Sequence, residues 1–180
     1  MTANDLCDYL RAHIPLSAAM GVGVLELSEA RVCLTAPLRP NTNHHQTAFG
    51  GSVAALAILS GWALLHARLA SRRPAVSLVI QRQQLEYLLP VAAAFDAICP
   101  APPAAEWERF TRTLDARGRA RLELIASIHC LGRTAASFRG QYVAVAATWA
   151  DRTVPRAQNT LSDIMNAAGG PPCNQRPDQR

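Results

Sequence analysis

Lysine is absent from this chain, so all 18 basic residues are arginine. Aromatic residues are scarce, at 6% of the sequence. The net charge of +5 suits an acidic partner, such as a phosphate-bearing cofactor or an acidic carrier protein. The arginines are scattered and lack the interleaved aromatics of a single-strand binder, so no nucleic-acid partner is expected. The five cysteines (Cys7, Cys33, Cys99, Cys130 and Cys173) are odd in number, far apart and without a Cys-x-x-Cys. That excludes a disulfide scaffold and offers no zinc or redox motif, which leaves free thiols in a reducing cytoplasm as the expectation. The N-terminal residues carry Asp5 and Asp8 and lack the basic-then-apolar pattern of a secretion signal.

Charge is also missing from Ala48 to Leu65, nearly the length of a membrane span. The segment opens with Gly50-Gly51, is heavy in Ala, Gly and Ser, and is flanked by strand-like patterns. A helix that is apolar all round and set in such surroundings is expected at the centre of a folded domain, not in lipid. With 180 residues, 49% of them hydrophobic, the chain can build one domain with a substantial core.

Residues 4–13 have the spacing of a short amphipathic helix, with Leu6, Tyr9, Leu10 and His13 on one side and Ile14-Pro15 ending it. Alternation over 22–36 predicts an antiparallel pair, closed by Pro37 and Pro40. The apolar helix is expected from about Gly50 to Ala70, stopped by Ser71-Arg72-Arg73-Pro74. A strand over 75–89 then leads through a turn at Pro90 into a strand over 91–99. Pro103 opens a helical insert that places Trp107, Phe110 and Leu114 on one face and ends at Gly118. Strands over 119–130 and 135–149, hinged at 131–134, complete the pattern. Residues 1–150 therefore read as one α+β domain, a curved antiparallel sheet wrapped around one long apolar central helix. Residues 151–180 lose periodicity and read as a partly disordered tail, with a turn of helix near Leu161 to Met165.

The polar run Asn41-Thr42-Asn43-His44-His45-Gln46-Thr47 leads straight into Phe49-Gly50-Gly51-Ser52 and the helix. A helix N-terminus offers unpaired N–H groups, and paired glycines let a carbonyl approach them closely. The backbone of Gly50 and Gly51 is thus a candidate oxyanion hole, although a tight loop-to-helix turn needs the same residues. Asn43 can both donate and accept, so it can orient a carboxylate or a thioester carbonyl. Of the adjacent His44 and His45, expected to point in different directions, one is a candidate proton donor. Thr47 and Ser52 are better suited to helix capping than to nucleophilic attack, and no G-x-S-x-G elbow is present. Two neighbouring histidines without further ligands predict no metal. Arg72-Arg73 suits phosphate or an acidic surface, and equally a helix C-terminus.

The string Asn41, Asn43, His44, Thr47 through Ser52 resembles the YiiD C-terminal-type thioesterases of the hotdog superfamily. So do Ala54-Ala55-Leu56-Ala57 with Ser60-Gly61-Trp62, and Tyr87-Leu88 with Pro90-Val91. The resemblance covers roughly residues 14–149. It implies a hotdog fold, a homodimer or higher homo-oligomer with sites at the subunit interface, and a substrate carried on the phosphopantetheine arm of CoA or acyl carrier protein. No permanently bound cofactor is implied. Thr47, Phe49, Ser52 and His45 would then line the substrate, with Asn43, His44, Gly50 and Gly51 at the reacting group. Some members are associated with malonyl-acyl carrier protein decarboxylation.

Many hotdog thioesterases with a Gly-Gly helix start place Asp or Glu about two turns later to activate water. Here that position is Ile58, and no carboxylate occurs from Ala48 to Leu69. Decarboxylation needs no such base, only an out-of-plane carboxylate and donors for the enolate. Three readings remain open: a malonyl-thioester decarboxylase serving fatty-acid synthesis, an acyl thioesterase, and a non-catalytic acyl-carrier-binding module.

Overall fold

The computed structural model describes residues 1–70 and 76–146. The predicted helix stop at Ser71–Pro74, the final strand's end at Trp149 and the turn near Leu161 lie outside the described residues.

Thr2 starts α1 (Ala3–His13) through a capping box. Its hydroxyl accepts the Asp5 N–H at 3.2 Å, and its own N–H donates to the Asp5 carboxylate at 2.8 Å. Leu6 and Leu10 lie one helical period apart and are fully buried, each contributing roughly 1.5–3 kcal/mol. Pro15 does more than end α1: it is the first residue of a short helix, α2 (Pro15–Ala19), which the periodicity did not reveal. Proline is well tolerated there because a first-turn N–H has no partner to lose.

The strands β1 (Gly23–Leu27) and β2 (Arg31–Ala36) form the expected antiparallel pair. A turn of 3-10 helix (Arg39–Asn41) and a loop lead into α3 (Gly50–Ala70). After α3 come β3 (Val76–Tyr87), β4 (Phe95–Pro100), α4 (Ala104–Arg117), β5 (Arg119–Cys130) and β6 (Arg133–Ala146). All six strands join in one antiparallel sheet ordered β1-β2-β4-β5-β6-β3.

The sequence left the partners of the two strands flanking Pro90 open: β3 pairs with β6 at the sheet edge, whereas β4 lies between β2 and β5. One expectation needs correction: β4 begins at Phe95 rather than Val91, because the Val91 carbonyl is taken by the Ala48 N–H at 2.7 Å. The linker after β3 thus anchors the start of α3 instead of extending a strand. At the β5–β6 hairpin, Leu131 (φ 50°) and Gly132 (φ 72°) form a tight turn with both central residues left-handed, and β6 starts at Arg133.

Helix α3 is long and apolar enough to cross a membrane, but it packs against β2, β3, β4, β5 and β6. Val53, Leu56, Ala57, Leu64 and Leu65 are buried in that contact. Gly61 is where helix and sheet meet most closely. A Cβ there would lie 2.4 Å from the Tyr142 hydroxyl, which donates to the Ile58 carbonyl at 2.7 Å. Helix α4 buries Trp107, Phe110 and Leu114 on one face, as predicted, and packs on β5.

Near the far end of α3, Tyr9 stacks on His13 at 4.1 Å and tilts against His66 at 4.4 Å, and His66 stacks on Trp62 at 4.6 Å. Burial, followed by the nearby His13, lowers the His66 pKa from its ordinary value. Cys33, Cys99 and Cys130 are buried strand residues. Burial pushes the Cys99 thiol up to about 12, which suits packing and not nucleophilic chemistry.

Candidate functional site at the start of α3

The loop before α3 is tied down from inside. Asn41 is 2% exposed, and its Nδ2 donates to the carbonyls of Met20 (2.9 Å) and Pro37 (2.7 Å). Thr42 and Ala48 form a bridge that closes the loop's neck. Within it, the Asn43 N–H donates to the Thr47 carbonyl at 2.8 Å. The Asn43 Oδ1 accepts from the N–H groups of His45 (2.8 Å) and Thr47 (3.3 Å). Its Nδ2 donates to the Thr47 hydroxyl (3.0 Å) and the Ala48 carbonyl (3.4 Å). Both ends of the amide thus serve the loop, which accommodates Gln46 at φ 62°.

Thr47, expected to cap the helix, bonds Asn43 instead. The first carbonyl of the helical ladder is that of Phe49, which accepts from Ser52 (2.9 Å) and Val53 (3.1 Å). The Phe49 N–H donates to the Asn41 carbonyl at 2.7 Å. The next two amides, those of Gly50 and Gly51, have no acceptor among the described residues. They are the first-turn donors that an α-helix cannot satisfy itself, at the positive end of its dipole.

Tyr87 closes the other side. Its hydroxyl donates to the Gly50 carbonyl at 2.8 Å, and a Cβ on Gly50 would come within 3.2 Å of that oxygen. The Phe49 ring lies across Gly51, where a Cβ would be 2.3 Å from the ring edge. A cavity of about 370 Å³ opens here, lined by Thr47, Gly50, Val53, Tyr87, Leu89 and Val91 among others. No carboxylate lines it among the described residues.

The predicted residues therefore fall into layers. Gly50 and Thr47 face the cavity, with Phe49, Gly51 and Ser52 adjoining in sequence, and Asn43 sits behind Thr47. His44 and His45 are exposed and outside the cavity lining. Their rings do not diverge as expected but meet with centroids 3.8 Å apart, because the turn brings them together. Ile58 is partly buried and lines a second, apolar groove of about 330 Å³ with Ala55, Leu59, Trp62, Leu78 and Ile80. Tyr87 and Val91 were not assigned roles from the sequence. The only available signal was their place in the Tyr87-Leu88 and Pro90-Val91 pattern.

Residues 3–146 match the family model described as "Putative thioesterase (yiiD_Cterm)". Among solved structures, a protein of unknown function from Chlorobaculum tepidum TLS is 29% identical with a TM-score of 0.76. The match covers 80% of this chain and 94% of that one. A "putative thioesterase" from Shewanella oneidensis is 28% identical with a TM-score of 0.68, over 79% of this chain and 96% of the other. A probable thioesterase from Pseudomonas aeruginosa, at 21% identity, 79% and 95% coverage and a TM-score of 0.69, shares the fold.

Proposed function

Because this chain belongs to the YiiD C-terminal thioesterase family of hotdog proteins, we propose that it holds a malonyl thioester at the start of α3 and decarboxylates it. The observation that carries the reading is the unsatisfied amide of Gly50 at the wall of a cavity whose described lining has no carboxylate, with the unsatisfied amide of Gly51 next to it in the chain. The thioester carbonyl oxygen accepts from these amides. As the C–C bond to the malonyl carboxylate breaks, CO2 departs and its electron pair moves onto the carbonyl as an enolate. The two N–H groups stabilise the developing oxyanion. Protonation at the α-carbon by water entering from the open side yields the acetyl thioester, since His44 and His45, the candidate donors, stand outside the cavity lining. Asn43 contributes by holding Thr47 and the helix entry in place.

The apolar walls Val53, Leu89 and Val91 weaken solvation of the departing carboxylate and so favour its loss as neutral CO2. The acyl group arrives on the phosphopantetheine arm of acyl carrier protein or CoA. The working unit is a homodimer: β3 is a 12-residue edge strand that, among the described residues, is bonded on one side only, to β6, and it exposes Val79.

Thioester hydrolysis is the second reading, favoured by the family description itself. It requires a base for water, and α3 carries no carboxylate. A binding module without turnover is the third. Incubation with malonyl-acyl carrier protein and with acyl-CoAs, followed by mass analysis, separates them. We expect loss of CO2 with the thioester intact. Free thiol with intact malonate would establish hydrolysis, and unchanged substrates would establish the binding module.

A further inference from the structure

At the opposite end of α3, we propose a second ligand site: a cavity that binds a small monoanionic carboxylate through Arg68. The cavity, about 590 Å³, lies between the last turns of α3, the β1–β2 turn and α4. Arg68 sits in the last turn of α3, 18 residues after Gly50. At a rise of about 1.5 Å per residue, that is about 27 Å from the thioester site. The inference therefore does not rest on how that site works.

Three observations converge on Arg68. Its guanidinium lies 4.4 Å from the centroid of the Trp107 ring, a cation–π contact that holds the group beside the cavity. Its Nη1 is buried and has no hydrogen-bond partner among the described residues. The same side chain lines the cavity. A buried, unpaired guanidinium donor is costly, and an oxyanion in the cavity would satisfy it once a small turn of the side chain brings Nη1 to the cavity wall.

The remaining walls choose the ligand. Met1, Leu27, Leu64, Ala67, Ala70 and Trp107 contribute apolar side chains beside a larger polar share, which suits a ligand whose hydrocarbon tail is short. Glu29 stands on the polar side with Ser28. A dianionic phosphate would be repelled by Glu29, whereas a carboxylate carries one charge and matches the planar guanidinium edge. Glu29 is itself exposed and forms no ion pair with Arg68. Ser28 is engaged with Glu26 and Arg31 in the turn.

Calorimetric titration of the full chain with sodium butyrate, butyramide and inorganic phosphate, at matched ionic strength, tests the proposal. Butyrate should bind saturably, butyramide should not, and phosphate should bind at least tenfold more weakly than butyrate. Arg68→Met keeps the aliphatic stem over Trp107 and should weaken butyrate at least tenfold. Gly50→Pro, altered at the other end of the helix, should bind butyrate like the parent. If Arg68→Met fails to fold, the butyrate–butyramide contrast in the parent chain still decides. Equal binding of acid and amide, undiminished binding by a folded Arg68→Met protein, or butyrate binding lost in folded Gly50→Pro would overturn the site.

Discussion

The two ends of α3 solve opposite problems. At its start the working groups are backbone amides. Gly50 and Gly51 contribute no side chain, and the neighbours Phe49 and Tyr87 close in where a Cβ would have stood. At its far end the side chains dominate: His66 packs against both Tyr9 and Trp62, and Arg68 lies over Trp107. A helix dipole needs no ionisable residue to present positive potential at its N-terminus, whereas its C-terminus is complemented by cationic side chains. One apolar rod thus separates a site built on backbone donors from a region built on ionisable side chains.

Removing a single donor is the strongest way to break this contrast. Gly50→Pro deletes one amide hydrogen at a helix position where proline is accepted. Turnover should fall about 10²–10³-fold, while Gly50→Ala, which keeps the N–H, should lose much less. Comparing initial rates of the two proteins checks this. Gly61→Ala, between the two ends, forces Tyr142 away from the Ile58 carbonyl. It should cost about 1–3 kcal/mol of stability by overpacking, read from the urea midpoint at unchanged slope.

The smallest effect should come from the far end. The pKa of His66 is lowered in the folded chain, so the unfolded chain takes up the proton first. Its contribution is complete above about 6.5 and declines as pH falls through that value toward the folded-state pKa. Urea midpoints measured between pH 8 and 5 should therefore drop for the parent and drop less for His66→Gln. Parallel curves would remove His66 as the cause.

The fold was legible where burial imposes a period. The alternation Leu122, Leu124, Ala126, Ile128 marks β5 in the sequence as clearly as in the structure. The helix face Trp107, Phe110 and Leu114 does the same for α4. Pairing order was less legible, because hydrogen bonds between β3 and β6 leave no trace in either strand's composition. Pro90 read as a turn, and nothing local showed that Val91 would spend its carbonyl on Ala48. At the site, the Asn43 to Ser52 string identified the right loop. It could not show that the Asn43 amide would turn inward or that Tyr87 would arrive from 37 residues away.

The sheet order also has a consequence in time. On a ribosome, β3 emerges well before β6, its one strand partner among the described residues, since Tyr87 pairs with Ala136 and Val76 with Ala146. At synthesis rates of about 5–20 residues per second, the strand waits roughly 3–12 s for β6. Throughout that interval the neighbouring face of α3 is also without its cover. The newly made chain must therefore pass through a sticky, half-closed stage, in which a chaperone or a slow codon run has its greatest leverage.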